Sequence, residues 1–245
     1  MQNERPIALS IAGLDPSAGA GLLADIKTFE QHKVVGFGAC SALTCQNDSE
    51  FLSIDWLDAE GVIRQLEPLF NKFAISTVKV GLVKDLENLN EVIVYIKKAS
   101  LKVKIVWDPV LKASAGFSFH EHWDRNLFKD ILHKIFLITP NYNELQNLNK
   151  VLGDDLVKFA SVLLKGGHNP ELLGIDVLYE DHLPQEIPSG VKGIHQKHGS
   201  GCVLSSAITA RLAKGFSLLE SCRLAKTYTE TFLNSNPTLL GYHNL

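Results

Sequence analysis

The sequence has no excess of basic residues, no apolar run of membrane-span length and no secretory opening. Its 24 lysines and arginines are outnumbered by 27 aspartates and glutamates, for a net charge of −3. That balance excludes the basic footprint a nucleic acid or an anionic membrane surface requires. No apolar run approaches the ~20 residues of a membrane span. The start, Met1-Gln2-Asn3-Glu4-Arg5-Pro6, has neither the basic opening nor the apolar stretch of a secretory signal. A cytoplasmic location is expected. Cysteine is scarce, and Cys40, Cys45, Cys202 and Cys222 form no Cys-x-x-Cys pair. Four free thiols are expected in a reducing compartment, three of them as small core hydrophobes. The Gly-x-x-x-x-Gly-Lys-Ser/Thr loop is also missing, so any nucleotide phosphates must be held by other means. No Pro/Ser-rich linker or charge block divides the chain, and one domain over residues 1–245 is expected.

What is present points to an ordinary globular core, with 45% hydrophobic and 21% charged residues. Ile7, Leu9 and Ile11 alternate as in a strand, and Leu22, Ile26 and Phe29 then recur at helical spacing. Further short β-rich runs lie at 77–80, 103–107, 135–139, 162–165 and 175–179. Helical stretches lie at 59–70, 89–98 and 202–214. Strands alternating with helices predict an α/β fold: a mostly parallel central sheet flanked by helices on both faces, in three layers. Ligands of such sheets sit beyond the carboxyl ends of the strands. The turn-rich and charged residues cluster there: Gly13 to Gly21, Gly81, Asp108-Pro109, Pro140-Asn141 and Gly166-Gly167.

Four constellations bear on chemistry. His198-Gly199-Ser200-Gly201-Cys202 runs straight into a helix, so its unpaired backbone N–H groups and the helix dipole form a candidate anion hole. Cys202, in the first turn, is expected to be an acidified thiol able to exchange a proton with a substrate hydroxyl. The first loop, from Gly13 to Gly21, contains Gly19-x-Gly21-x-x-Ala24, which also satisfies the dinucleotide-binding fingerprint. That reading loses, because an Asp-Pro turn separates Gly19 from the strand, and the run Ala39 to Cys45 ends in Gln46-Asn47 rather than in an acid. Asp108 and Glu144 follow strands, where paired carboxylates suit a Mg²⁺ ion on nucleotide phosphates. Lys165-Gly166-Gly167-His168 could hold phosphate or simply turn the chain. His120 and His122, two apart and without a third ligand, read as a solvated pair.

In this order and spacing the motifs resemble the ribokinase-like superfamily, and within it the hydroxymethylpyrimidine/phosphomethylpyrimidine kinases of thiamine biosynthesis. The resemblance runs from Ile7 to Gly215. It rests on Ser10 to Gly21 continuing through Ala24 to Phe29, on Lys79-Val80-Gly81, on Asp108-Pro109-Val110, on Thr139-Pro140-Asn141 with Glu144, on Lys165 to His168, and on His198 to Cys202. It implies ATP-dependent phosphorylation of a small pyrimidine alcohol, with a homodimeric assembly. It places the pyrimidine against Ala20, Asp25, Gln46, Leu82 and Val110, with Asp25 at the hydroxymethyl group. Gly199, Ser200, Gly201 and Cys202 would be catalytic; Asn141, Lys165, Gly166 and Gly167 would lie on the nucleotide side; Asp108 and Glu144 would serve Mg²⁺. Leu82 stands where the family commonly has methionine, Lys197 where it has threonine, and Ala18 where it has a glycine. The loop from Lys112 to Gly116 and the short segment 149–161 also differ from the family pattern. A pyridoxal kinase of the same superfamily and a catalytically degenerate pyrimidine-binding protein are the competing readings.

Overall fold

The computed structural model describes residues 5–110, 123–168, 173–191 and 193–244. His120, His122 and the loop from Lys112 to Gly116 lie outside these residues. The strands are β1 (Ile7–Leu14), β2 (Val35–Gln46), β3 (Phe51–Trp56), β4 (Thr77–Val80), β5 (Lys104–Trp107), β6 (Leu137–Ile138), β7 (Val162–Leu164), β8 (Asp176–Glu180) and β9 (Leu183–Ile187). They form one nine-stranded sheet in the order β3-β2-β1-β4-β5-β6-β7-β8-β9. Neighbours from β2 through to β7 are parallel, while β3, β8 and β9 are added by antiparallel pairing.

The helices are α1 (Gly21–Gln31), α2 (Ala59–Lys72), α3 (Leu86–Ala99), α4 (Arg125–Leu132), α5 (Tyr142–Leu152), α6 (Ser200–Ala213) and α7 (Leu218–Leu233). Side chains of a strand alternate between faces, and the alternation here sorts them into two cores. Leu9, Ile11, Val78, Val80, Ile105 and Trp107 meet α2 to α5, whereas Val106, Leu137 and Leu163 meet α6 and α7. The expected three layers are therefore present. Helix α6 is buried almost all round, including Ser205, Ser206 and Thr209, as expected of a helix packed between the sheet, α1 and α7.

Alternation also explains one polar departure from the cores. Ser10 and Lys79 are register partners on β1 and β4. With Leu9, Ile11, Val78 and Val80 facing the other way, both point toward α1 and α6. The connection from β1 goes to β2 on one side of the sheet, and β4 lies on the other. The crevice between the carboxyl ends of β1 and β4 is therefore the topological switch point, where an open α/β sheet binds its ligand.

Three local expectations need correction. The run at 135–139 supplies only a two-residue strand. Edge strands β3 and β9 and helices α4, α5 and α7 were not legible from periodicity. All four cysteines are free, but only Cys222 is a core residue; Cys40 is half-buried and Cys45 exposed on β2.

Candidate active site

The switch-point crevice is walled by two loops that touch. The first, residues 15–20, follows β1 and is folded around Asp15, whose carboxylate accepts from Ser17 N and Ser17 Oγ at 2.8 Å and from Ala20 N at 2.9 Å. The second is the turn before α6. Its Ncap residue, Gly199, sits at φ +75°, and no side chain caps the helix. A Cβ at Gly199 would lie 2.1 Å from Gly19 O and 2.7 Å from Ala20 Cα, so glycine is required both for the left-handed conformation and for the close approach. The N–H groups of the first turn have no intrahelical acceptors; the regular ladder begins with Val203 N donating to Gly199 O at 3.0 Å. The predicted anion hole is thus a helix N-terminus pressed against Ala20, one of the predicted substrate residues.

Beneath these loops lies a buried ion pair. Lys79 Nζ donates to Asp25 Oδ2 at 2.7 Å with both side chains fully buried. Ser10 Oγ donates to the same oxygen at 2.5 Å and Ser206 Oγ to Oδ1 at 2.6 Å. The Asp25 carboxylate is thus engaged by internal donors, and none of it is exposed. Burial works against the charge of Lys79, but Asp25, with Cys202 and Asp108 adding, holds it protonated above the usual lysine range. Ser206 lies one turn beyond Cys202 on α6, so the two share a helix face over this pair.

Cys202 is half-buried and receives a hydrogen bond from the backbone N–H of Gly21. Burial works against the expected acidification. Burial pushes the thiol up to about 11; Lys79 opposes this, and Asp25 and Asp108 reinforce it. A helix N-terminus lowers a thiol pKa where solvent also helps; here desolvation and two carboxylates outweigh it.

A second charged group stands at the ends of β5 to β7. Lys165 Nζ donates to Asp108 Oδ1 at 2.9 Å and lies 3.7 Å from Glu144 Oε2. Asp108 also accepts from Thr139 Oγ1 at 3.2 Å and from Ser205 Oγ of α6 at 3.3 Å. Burial raises the Asp108 pKa, but Lys165 and Lys79 bring the net shift below the ordinary value. For Glu144 burial wins and the net shift is upward. A Cβ on Gly201 would stand 3.4 Å from Lys165 Nζ and 3.6 Å from Asp108 Oδ2. The anion hole, Lys165 and Asp108 therefore share one space.

The remaining predicted residues divide. Leu82 follows β4 and approaches Gly13 as an apolar wall of the crevice, 3.1 Å from where a Cβ would stand. Gln46 ends β2, half-buried, and Val110 is half-buried beyond Asp108. Asn141 and Glu144 form a reciprocal capping box at the start of α5, Asn141 Oδ1 accepting from Glu144 N at 2.9 Å and Glu144 Oε2 from Asn141 N at 2.7 Å. The Asn141 side-chain oxygen and one Glu144 oxygen thus have structural work besides any ligand. The Gly166 N–H donates to Asp176 Oδ1 at 2.7 Å, and a Cβ there would lie 2.1 Å from Ile175 O, so the position requires glycine for close packing. Gly167 is exposed, with open space around it.

Comparison with known proteins supplies the family. The model of the phosphomethylpyrimidine kinase family matches residues 15–244. This chain belongs to the phosphomethylpyrimidine kinase family. A hydroxymethylpyrimidine/phosphomethylpyrimidine kinase of Aquifex aeolicus is 33% identical to it over 250 residues, covering 96% of this chain and 98% of the relative. Among solved structures, the phosphomethylpyrimidine kinase of Clostridium difficile superposes with a TM-score of 0.75 at 27% identity, covering 92% of this chain and 98% of the other. A Bacillus subtilis pyridoxal kinase solved as an ADP complex gives a TM-score of 0.76 at 26% identity, over 92% of this chain and 90% of that one. The chain is accordingly a kinase of the ribokinase-like fold. Lys79, Ser10, Ser206, Asp15 and His198 are the structural partners that motif reading left without roles.

Proposed function

We propose that this phosphomethylpyrimidine kinase family member transfers the terminal phosphoryl group of ATP to the hydroxymethyl group of 4-amino-5-hydroxymethyl-2-methylpyrimidine, and then phosphorylates the monophosphate, for thiamine biosynthesis. The observation that carries the reading is the packing of the uncapped α6 N-terminus against Ala20 in the β1/β4 crevice. That packing lets a migrating phosphoryl group and an alcohol meet at one point. Such transfer runs through a loose transition state, so alignment and charge stabilisation supply most of the catalysis. The Gly199 to Cys202 amides would take the charge on the phosphoryl oxygens, and Leu82, Ala20, Gln46 and Val110 would hold the ring. Cys202, protonated at neutral pH, would hydrogen-bond the acceptor hydroxyl and relay its proton late in the transfer, giving the thiol proton to an oxygen of the transferred phosphoryl group as it takes the proton the hydroxyl releases.

Lys165 would face the nucleotide phosphates, with Asn141 and Gly167 nearby. Asp108 and Glu144, which converge on Lys165, would serve a Mg²⁺ ion that takes the rest of its ligands from phosphate and water, as Mg²⁺ on nucleotides does. No cluster of three or more metal-binding side chains occurs among the described residues, which argues against an all-protein cage. Mg²⁺ would neutralise phosphate charge. A single kinase domain agrees with the family match over 15–244. A homodimer and a cytoplasmic location complete the reading; no described helix is long and apolar enough to cross a membrane, and light scattering reads the assembly.

The test is a coupled ADP-release assay with the pyrimidine alcohol, its monophosphate and pyridoxal as separate acceptors. Turnover of the first two above pyridoxal is expected. Binding of the alcohol with no ADP release in the presence of Mg²⁺ establishes the degenerate protein instead, and preferential turnover of pyridoxal reassigns the substrate.

A further inference from the structure

Lys197, directly before the anion-hole turn, is a buried cation that pairs with no acid among the described residues. It is 4% exposed. Its hydrogen bonds run to the backbone oxygen of Asn236, to Thr238 O at 2.6 Å and to Asn236 Oδ1 at 3.4 Å. An ammonium has three donors, and all three go to one stretch of chain beyond α7. Burying an ammonium without a counter-charge opposes folding. A neutral side chain would fill the space at less cost, so what the lysine adds is three directional bonds to that stretch.

The same stretch touches both walls of the crevice. His198 N donates to Leu239 O at 3.0 Å, while the His198 ring faces the other way and pairs through Nε2 with Asp15 Oδ2 at 2.8 Å. Gly19 of the first loop is closed in from two sides, since a Cβ there would lie 2.7 Å from His198 Cδ2 and 2.7 Å from Leu240 Cδ2. The stretch is also braced internally, with Asn236 Nδ2 donating to Leu240 O at 2.9 Å and Thr238 N to Asn236 Oδ1 at 2.8 Å. Consecutive residues thus bind in opposite directions, Lys197 to the C-terminal stretch and His198 to the first loop.

We propose that Asn236–Leu240 is a strap across the active site and that Lys197 is the positioning residue that pins it, holding the anion-binding turn against the first loop. Lys197 touches no reacting atom in this scheme; it acts through the peptide geometry of His198 and Gly199. The kinetic part of the inference rests on the kinase reading above, whereas the structural part does not.

The experiment compares wild type with K197M, which keeps side-chain length and removes the charge, and with a chain ending at Ser235. Hydrogen exchange of the His198, Gly19 and Ala20 amides is measured beside steady-state kinetics with ATP and the pyrimidine alcohol. K197M is expected to speed exchange at these amides by about 10-fold and lower kcat by about 10-fold, less than the ~10²-fold that a full ångström of misplacement can cost, because the His198 bonds to Leu239 and Asp15 remain. Exchange in α3 stays unchanged. The shortened chain reproduces the kcat loss, and adding K197M to it lowers kcat less than about 2-fold further, since both act through one contact. Unchanged exchange at His198 in K197M, or losses that multiply in the combined variant, would overturn the proposal. L240A, at a side chain 37% exposed, probes the strap without touching a buried charge. It is expected to quicken exchange at Gly19 and lower kcat, and no change in either also overturns it. A chain with no kinase activity on any acceptor refutes the kinase reading and leaves the exchange arms to decide the strap.

Discussion

Replacing Lys79 by methionine removes the cation that neutralises the Asp25 carboxylate. Both side chains are fully buried and 2.7 Å apart, and the carboxylate would keep only the Ser10 and Ser206 hydroxyls as partners. Breaking a buried pair by deleting one member costs about 3–5 kcal/mol, because the survivor is left charged without compensation. At roughly 2–4 °C per kcal/mol for a chain of this size, Tm falls by roughly 6–20 °C. The variant has an escape, which is to protonate Asp25. Its folded pKa, already raised by burial with Lys79 opposing, then moves further above the unfolded value. A carboxyl shifted that way favours the fold below the unfolded pKa of about 3.9, and the benefit is lost as pH rises through the folded pKa. The deficit of K79M against wild type therefore shrinks from pH 7 toward pH 4. Urea unfolding followed by fluorescence and circular dichroism at several pH values measures this. In the double variant K79M/D25L no charge is stranded, and much of the lost stability returns. A K79M deficit below about 1 kcal/mol at pH 7, or a double variant no better than the single, would refute the account of the pair as mutually compensating charges.

Alkylation of the native protein by iodoacetamide, read by peptide mass spectrometry, is expected to modify exposed Cys45 first. Cys202 stays slow at neutral pH and accelerates toward its pKa of about 11; rapid labelling of Cys202 at pH 7 would contradict the desolvated thiol. C202A is expected to lower kcat by about 10²-fold or more with a smaller change in KM for the pyrimidine, as for a group acting mainly in the transition state, and unchanged turnover takes Cys202 out of the chemistry. G199A, which forces a Cβ to 2.1 Å from Gly19 O at φ +75°, should lower kcat/KM by at least about 10²-fold, whereas G167A, with open space around it, should leave Tm unchanged within error; thermal scans and kinetics on the pair check the contrast. Q46A should raise the pyrimidine KM with kcat little altered, because a uniform ring contact is lost, and an equal KM in both proteins would remove Gln46 from the ring site.

Periodicity alone carried the layered architecture, since an apolar residue every second or every third to fourth position is a property of neighbours in the chain. It put strands at 77–80 and 162–165 and helices at 59–70 and 202–214 within a few residues of β4, β7, α2 and α6. Turn glycines and the His198 to Cys202 motif marked the strand ends and the helix start, so the place of the site and the family resemblance were legible before any fold was known. The two-residue β6 and the edge strands β3 and β9 were not, because short strands take their stability from the sheet beside them rather than from their own pattern. Side-chain roles were the other gap. The resemblance put Asp25 beside the substrate, but not its internal partners, which come from the β1/β4 register that sets Ser10 beside Lys79 and turns both toward it. The helix start pointed to an acidic Cys202, whereas burial among Asp25 and Asp108 pushes the thiol up, and the partner of the Gly166 N–H, Asp176, lies ten residues away. Local sequence sets which backbone can form and where it turns; burial, charge pairing and hydrogen-bond partnership arise from residues tens to hundreds of positions apart, and only the tertiary structure brings those together.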